Sequence, residues 1–151
     1  MTKLGEFFPE ENQSDYIGKV IKIRSVIKLY ELSTTPPKEK RFVIIGESVN
    51  EFALLFINSN LNENVHRPGS ITHSLQIAIN KYDGCNYLRH NSYVDCTRII
   101  PKDKITVIST ITNNQDLYLG KMDHTHWNAV YTAVVGAPTI SPKQKKMFKL
   151  V

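Results

Sequence analysis

Two polar clusters hold the residue types best suited to chemistry. Lys38, Lys40 and Arg41 lead into the apolar run Phe42-Val43-Ile44-Ile45. Asn58-Ser59-Asn60 closes a second apolar run that extends from Phe52 to Ile57. Cations stabilise developing negative charge, and a hydroxyl beside an amide donates hydrogen bonds or helps to move a proton. Lys40, Arg41, Asn58 and Ser59 are the residues whose types fit those tasks, and they flank one candidate hairpin.

Other chemistries find less support. Five histidines occur, at 66, 73, 90, 124 and 126. The close pair His124 and His126 sits at the start of an expected helix, where an i, i+2 spacing puts the rings on different sides, unlike an HExxH zinc pair. Cys85 and Cys96 form no CxxC. Cys96 with His90 upstream could form a thiolate–imidazole pair, but strand-like neighbours favour a buried, structural Cys96. No Walker loop, GxGxxG or GxSxG is present. The chemistry left needs neither metal nor cofactor. RNA permits it, because its 2′-hydroxyl is an internal nucleophile; the protein supplies a base, a proton donor and cations for the crowded phosphorane.

Charge agrees with a polyanionic partner. Nineteen Lys and Arg stand against fourteen Asp and Glu, a net +5, which suits nucleic acid and also keeps a surface solvated. With 151 residues the chain is one domain's worth, large enough for a core. No apolar run approaches the roughly 20 residues that span a bilayer. The acidic start, MTKLGEFFPEENQSD, lacks a signal-peptide pattern. Two cysteines suit a reducing cytosol, so a cytoplasmic location is expected.

The elements that must position the two clusters follow from pattern. Residues 1–15 read as an extended arm. Tyr16 to Tyr30 interleaves β-branched and basic residues and predicts a strand, with Lys19, Lys22, Arg24 and Lys28 largely toward solvent. Glu31 to Lys40 reads as a loop around Pro36-Pro37. The apolar runs at 42–45 and 52–57, split at Gly46-Glu47-Ser48, read as antiparallel strands. Asn60 to Ser70 is a polar loop. Thr72 to Tyr82 fits a short helix or a strand, the strand slightly better, with a turn at Asp83-Gly84. Tyr87 to Ile100 holds one or two strands, with Tyr93, Val94, Ile99 and Ile100 in the core. Pro101-Lys102-Asp103 predicts a turn, and Lys104 to Ile111, which alternates cleanly, predicts a strand. From Asp123 the period changes: Trp127, Val130, Tyr131 and Val134 mark an amphipathic helix capped by Asp123. Ser141-Pro142 opens a last, lysine-rich helix. Strands followed by helices argue α+β: a small, strongly bent antiparallel sheet or SH3-like barrel with C-terminal helices.

In this order the features resemble the MazF/PemK family of toxin–antitoxin ribonucleases. The resemblance rests on KEKRFVIIG (Lys38 to Gly46), LLFINSN (Leu54 to Asn60), SYVDCTRI (Ser92 to Ile99) and LYLGKMDHTHWNAVYTAVVG (Leu117 to Gly136). It covers roughly residues 16–136 of a single domain expected over 16–151, with an insert around 61–89. It implies a metal-independent endoribonuclease that cuts single-stranded RNA, without cofactor. Lys40 or Arg41 would take the place of the family's catalytic arginine, which is normally followed by proline; here Phe42 follows. Ser59 would take that of its catalytic Thr or Ser. Lys38, Asn58, Arg67, Arg89 and His90 would contact RNA. A homodimer and an inhibitory antitoxin protein are also implied. The alternative is an SH3-like module that binds nucleic acid or a protein partner without catalysis.

Overall fold

The hairpin that carries both polar clusters is the middle of the sheet. A computed structural model of the protein describes residues 18–150. Strands β1 (Ser25–Glu31), β2 (Lys38–Glu47) and β3 (Glu51–Asn58) come first. A helical turn α1 (Ile71–Ser74) leads into β4 (Gln76–Ile79), β5 (Ser92–Asp95) and β6 (Ile100–Asp103). Helix α2 (Lys104–Asn113), β7 (Tyr118–Lys121), α3 (His124–Gly136) and α4 (Pro142–Met147) complete the order. The expected arm at 1–15 lies outside the described residues.

The seven strands form one antiparallel sheet; six run in the order β4-β5-β3-β2-β1-β7, and β6 pairs with β3 off that path. β3 has two partners on its outer edge, β6 along Glu51–Leu54 and β5 along Ile57–Asn58, so the sheet curls at this strand. The fold is α+β, a strongly bent antiparallel sheet with helices at its C-terminal end. Both faces are covered. Val43, Ile45, Leu55 and Ile57 join α3 residues Val130 and Val134 in one core. Phe42, Ile44, Leu54 and Phe56 join α2 residues Val107 and Ile111 in a second. Burial on both faces explains why β2 and β3 read as continuous apolar runs without alternation.

Two N-caps are as the sequence indicates. Asp123 accepts from the His126 amide at 2.7 Å, and Ser141 accepts from the Gln144 amide at 3.1 Å with Pro142 in the first turn. The 72–82 segment contains both of its candidate elements, the turn α1 and then β4.

Five expectations are corrected. Lys104 to Ile111 is a helix. Its alternation is real, but Ile105 is 79 % exposed while Val107 and Ile111, one turn apart, are buried. Asp103 caps it through the Thr106 amide at 2.9 Å, and Thr110 and Thr112 hydroxyls bond the carbonyls of Thr106 and Ile108. Burial of a one-turn pair outweighs the weak helix preference of β-branched residues. Pro101 to Asp103 belongs to β6, whose other edge has no strand neighbour among the described residues, so the proline's missing N–H costs no ladder bond. The first strand begins only at Ser25, because Arg24 takes φ +82° and turns the chain. Its guanidinium donates to the Met122 carbonyl at 2.8 Å, which holds that conformation.

The loop after β1 is shorter than expected, since Lys38-Glu39-Lys40 already pairs with β1. Gly46 and Glu47 lie in β2, and the turn is carried by Ser48, whose amide donates to the Glu51 carbonyl at 2.8 Å. Gly46 is required by close approach: a Cβ there would meet the Phe148 carbonyl oxygen at 2.7 Å. The C-terminal segment crosses β2 at that point. Among the described residues no helix is long and apolar enough to cross a membrane.

Candidate functional site

Strand pairing alone gathers the polar clusters. β2 and β3 run antiparallel with their turn at the far end, so Arg41 pairs with Ile57 and the start of β2 faces the end of β3. β5 pairs β3 at Asn58–Tyr93, which brings Arg89 to Ser92 to the same rim. A cleft of about 200 Å³ opens there, lined by Lys38, Lys40, Arg41, Ser59, Arg89 and His90, with Glu39, Ile57 and Ser92.

The pleat separates the two candidate cations, since successive side chains point to opposite faces. Lys40 shares a face with Phe42 and Phe56. Its ammonium lies 5.7 Å from the Phe56 ring centre and donates to Asn58 Oδ1 at 2.5 Å. Arg41 lies on the other face, and its Nε is buried with no hydrogen-bond partner among the described residues. Burial lowers the Arg41 pKa and the nearby Arg89 charge lowers it further, opposed by Glu39. Lys40 is lowered by burial and by Lys38. Glu39, the one acid among the described residues of the cleft, lies 3.3 Å from Lys28. The cleft is therefore an array of mutually repelling cations whose counter-charge is already engaged elsewhere. Such an array has a standing affinity for anions.

A second cavity, of about 340 Å³, adjoins the first and shares Lys38, Lys40 and Ser59 with it. Its remaining lining is amide and imidazole: Asn58, Asn60, Asn62, His66 and Gln76. Of the sequence-predicted site residues, the cleft collects Lys38, Lys40, Arg41, Ser59, Arg89 and His90, and Asn58 stands in the adjoining cavity. Arg67 lines neither and is exposed on the loop before α1. Sequence reasoning missed His66, Gln76 and Ser92. The asparagine-rich run Ser59-Asn60-Leu61-Asn62 was the available signal for the second cavity, whereas Gln76 reaches it only through the pairing of β4 with β5.

The thiol alternative fails on environment. Cys96 is 0 % exposed, and burial together with Asp95 pushes its thiol far above the ordinary range. His90 is exposed and its Nδ1 lies 3.1 Å from the Asn91 carbonyl oxygen. His126 serves the fold: its Nδ1 meets the Tyr87 hydroxyl at 2.7 Å, tying the 61–89 segment to α3. Among the described residues no three His, Cys, Asp or Glu side chains converge as a metal site requires. In the lysine-rich C-terminal segment, Lys145 donates to the Val135 and Ala137 carbonyls, each at 2.8 Å, and so caps the end of α3. Compared with known proteins, the chain matches no family model and no curated protein.

Proposed function

We propose that the protein is a metal-independent endoribonuclease acting on single-stranded RNA at the rim of its sheet. One observation carries the reading: Arg41, with a buried and unpartnered Nε, lines the same small cleft as Ser59, Arg89 and His90. Between the open possibilities Lys40 and Arg41, the geometry favours Arg41 as the cation that meets the phosphate. Lys40 is tied to Asn58 and to the Phe56 ring, and it assists at the edge of the cleft.

In this reading the phosphate sits between Arg41 and Arg89. The 2′-oxygen attacks phosphorus, the P–O5′ bond breaks, and the products carry a 2′,3′-cyclic phosphate and a 5′-hydroxyl. The proton leaves the 2′-hydroxyl for a base and is returned by an acid to the departing 5′-oxygen. His90, the imidazole of the cleft, is the candidate for one of these steps, and Ser59 positions a phosphate oxygen. The two guanidinium groups stabilise charge where it develops, in a site that is partly desolvated. A cytoplasmic location, a homodimer and a protein inhibitor lying across the same rim belong to the proposal.

A second reading, a module that binds RNA without cutting it, is favoured by the partner of His90. Its ring nitrogen engages the Asn91 carbonyl, not Ser59 or Arg41. Incubating purified protein with unstructured RNA in EDTA separates the two. Cleavage that persists in EDTA supports the enzyme. Intact RNA bound by the protein supports the module, and cleavage that requires added metal contradicts the proposed mechanism.

A further inference from the structure

We propose that the cavity beside the cationic cleft is a nucleobase-reading subsite selective for uracil, whose edge sets a ring N–H between two carbonyls. The inference rests on the proposed RNA-binding role of the cleft and deepens it. The two cavities share Lys38, Lys40 and Ser59 but differ in chemistry. The cleft offers guanidinium and ammonium groups, which suit phosphate. Its neighbour mixes amides, an imidazole and ammonium groups, which suits a flat ligand edge carrying both donors and acceptors.

The residual hydrogen-bonding capacity of the lining decides which edge. Asn58 Oδ1 already accepts from Lys40, so its Nδ2 donors remain for a ligand, alongside the other protons of the Lys40 ammonium. Gln76 donates through Nε2 to Asp95 Oδ1 at 3.0 Å, which leaves Oε1 as the acceptor. Asp95 is itself held by the Thr97 amide and hydroxyl at 3.0 and 2.6 Å, so the Gln76 amide is fixed in orientation. His66 Nδ1 is buried without a partner among the described residues. A buried polar atom left unpaired is costly, and a ligand that pairs it recovers that cost. Donors therefore outnumber acceptors, with one fixed acceptor among them. Uracil complements this set: its two carbonyl oxygens accept from Lys40, Asn58 and an Nδ1–H of His66, and its ring N–H donates to Gln76 Oε1. Cytosine offers an amino donor where uracil offers the O4 acceptor, and places it against an ammonium.

Single-stranded RNA suits the arrangement because its bases are free to leave the stack and present their edges. The shared wall of Lys38, Lys40 and Ser59 sets phosphate and base subsites side by side, as a nucleotide requires. Phosphate contacts then position the strand while the second cavity reads it.

The test compares twelve-residue 2′-O-methyl oligonucleotides of uridine and of cytidine, which offer identical phosphates and no free 2′-hydroxyl for cleavage. Their binding is followed by fluorescence anisotropy on the full chain, for wild type, Gln76→Met and His66→Phe, each checked by thermal melting. The expected result is uridine bound about ten-fold more tightly than cytidine, the scale of one good base-edge contact. In the variants that ratio falls toward one while cytidine affinity changes little. If one variant does not fold, the other decides. Equal affinities in the wild type, or a ratio that survives in a folded variant, overturn the base subsite and leave the phosphate cleft standing. No binding of either oligonucleotide at 50 mM salt removes the RNA reading, and this subsite with it.

Discussion

Replacing Arg41 separates a functional cation from a structural one. Four cations line the cleft, Lys38, Lys40, Arg41 and Arg89. Each phosphate contact on single-stranded nucleic acid contributes about −0.7 to the slope of log affinity against log salt, so four give about −2.8. Raising salt from 50 to 200 mM should then weaken binding roughly fifty-fold. Arg41→Met removes one contact, and the slope falls to about −2.1, roughly twenty-fold over the same range. Stability should move the other way or not at all. Arg41 Nε is buried without a partner, and Arg89 disfavours its charge, so an apolar side chain of similar length relieves both costs. The assay is fluorescence anisotropy with a 2′-O-methyl oligonucleotide in EDTA, with a thermal melt in parallel. Lys143→Met, on the exposed face of α4, is the control and should leave the slope unchanged. An Arg41→Met protein that melts several degrees lower while keeping the wild-type slope would refute the reasoning.

The fold and its pH response supply further tests. Gly46→Ala forces a Cβ to 2.7 Å from the Phe148 carbonyl oxygen. The strain should cost about 2–3 kcal/mol, seen as a fall in melting temperature of roughly 5–10 °C; an unchanged melt would show that the C-terminal crossing is loose. Asp103→Ala removes the cap of α2 and should cost about 1 kcal/mol by urea denaturation, while Asp103→Asn should retain most of it. Burial raises the Glu31 carboxyl, but hydrogen bonds from Lys102 and Ser33 more than reverse this and hold it below the usual glutamate value. Asp123 is likewise lowered, against its burial, by the His126 amide and Tyr82. Both depressed values contribute stability that is present above the ordinary carboxylate range, near pH 4, and is lost as pH falls through the folded values. Urea midpoints between pH 7 and pH 3 should fall accordingly, and Lys102→Met should flatten the Glu31 part of that decline.

How much of this was legible in the sequence depends on whether the deciding contact was local. β2 and β3 were readable because burial on both faces leaves an unbroken apolar run. α3 and α4 were readable because Asp123 and Ser141-Pro142 announce their first turns. α2 was misread because Lys104 to Ile111 alternates at period two, whereas its burial has the period of a helical turn, set by β2 and β3 across the sheet. Pro101 looked like a turn because its strand has no neighbour on one edge among the described residues, a property of topology and not of composition. At the site, Lys40, Arg41 and Ser59 stood out as the polar ends of one hairpin, and the pleat that favours Arg41 over Lys40 needed only strand parity. His66 and Gln76 come from the segment that folds back against α3 through Tyr87 and His126. That docking is tertiary, so only the asparagine-rich run beside Ser59 hinted at a second cavity.

The central claim is that the rim cleft around Arg41 and Ser59 cuts RNA without metal. It is tested most directly by the single-turnover rate of cleavage of one unstructured RNA in EDTA, with product ends identified by mass. The account predicts 2′,3′-cyclic phosphate and 5′-hydroxyl ends. It also predicts a rate that falls about 100-fold or more in Arg41→Ala, as for loss of one preorganised donor to the transition state, and that Lys143→Ala leaves unchanged. Cleavage at the wild-type rate by Arg41→Ala, or products with any other ends, would contradict it.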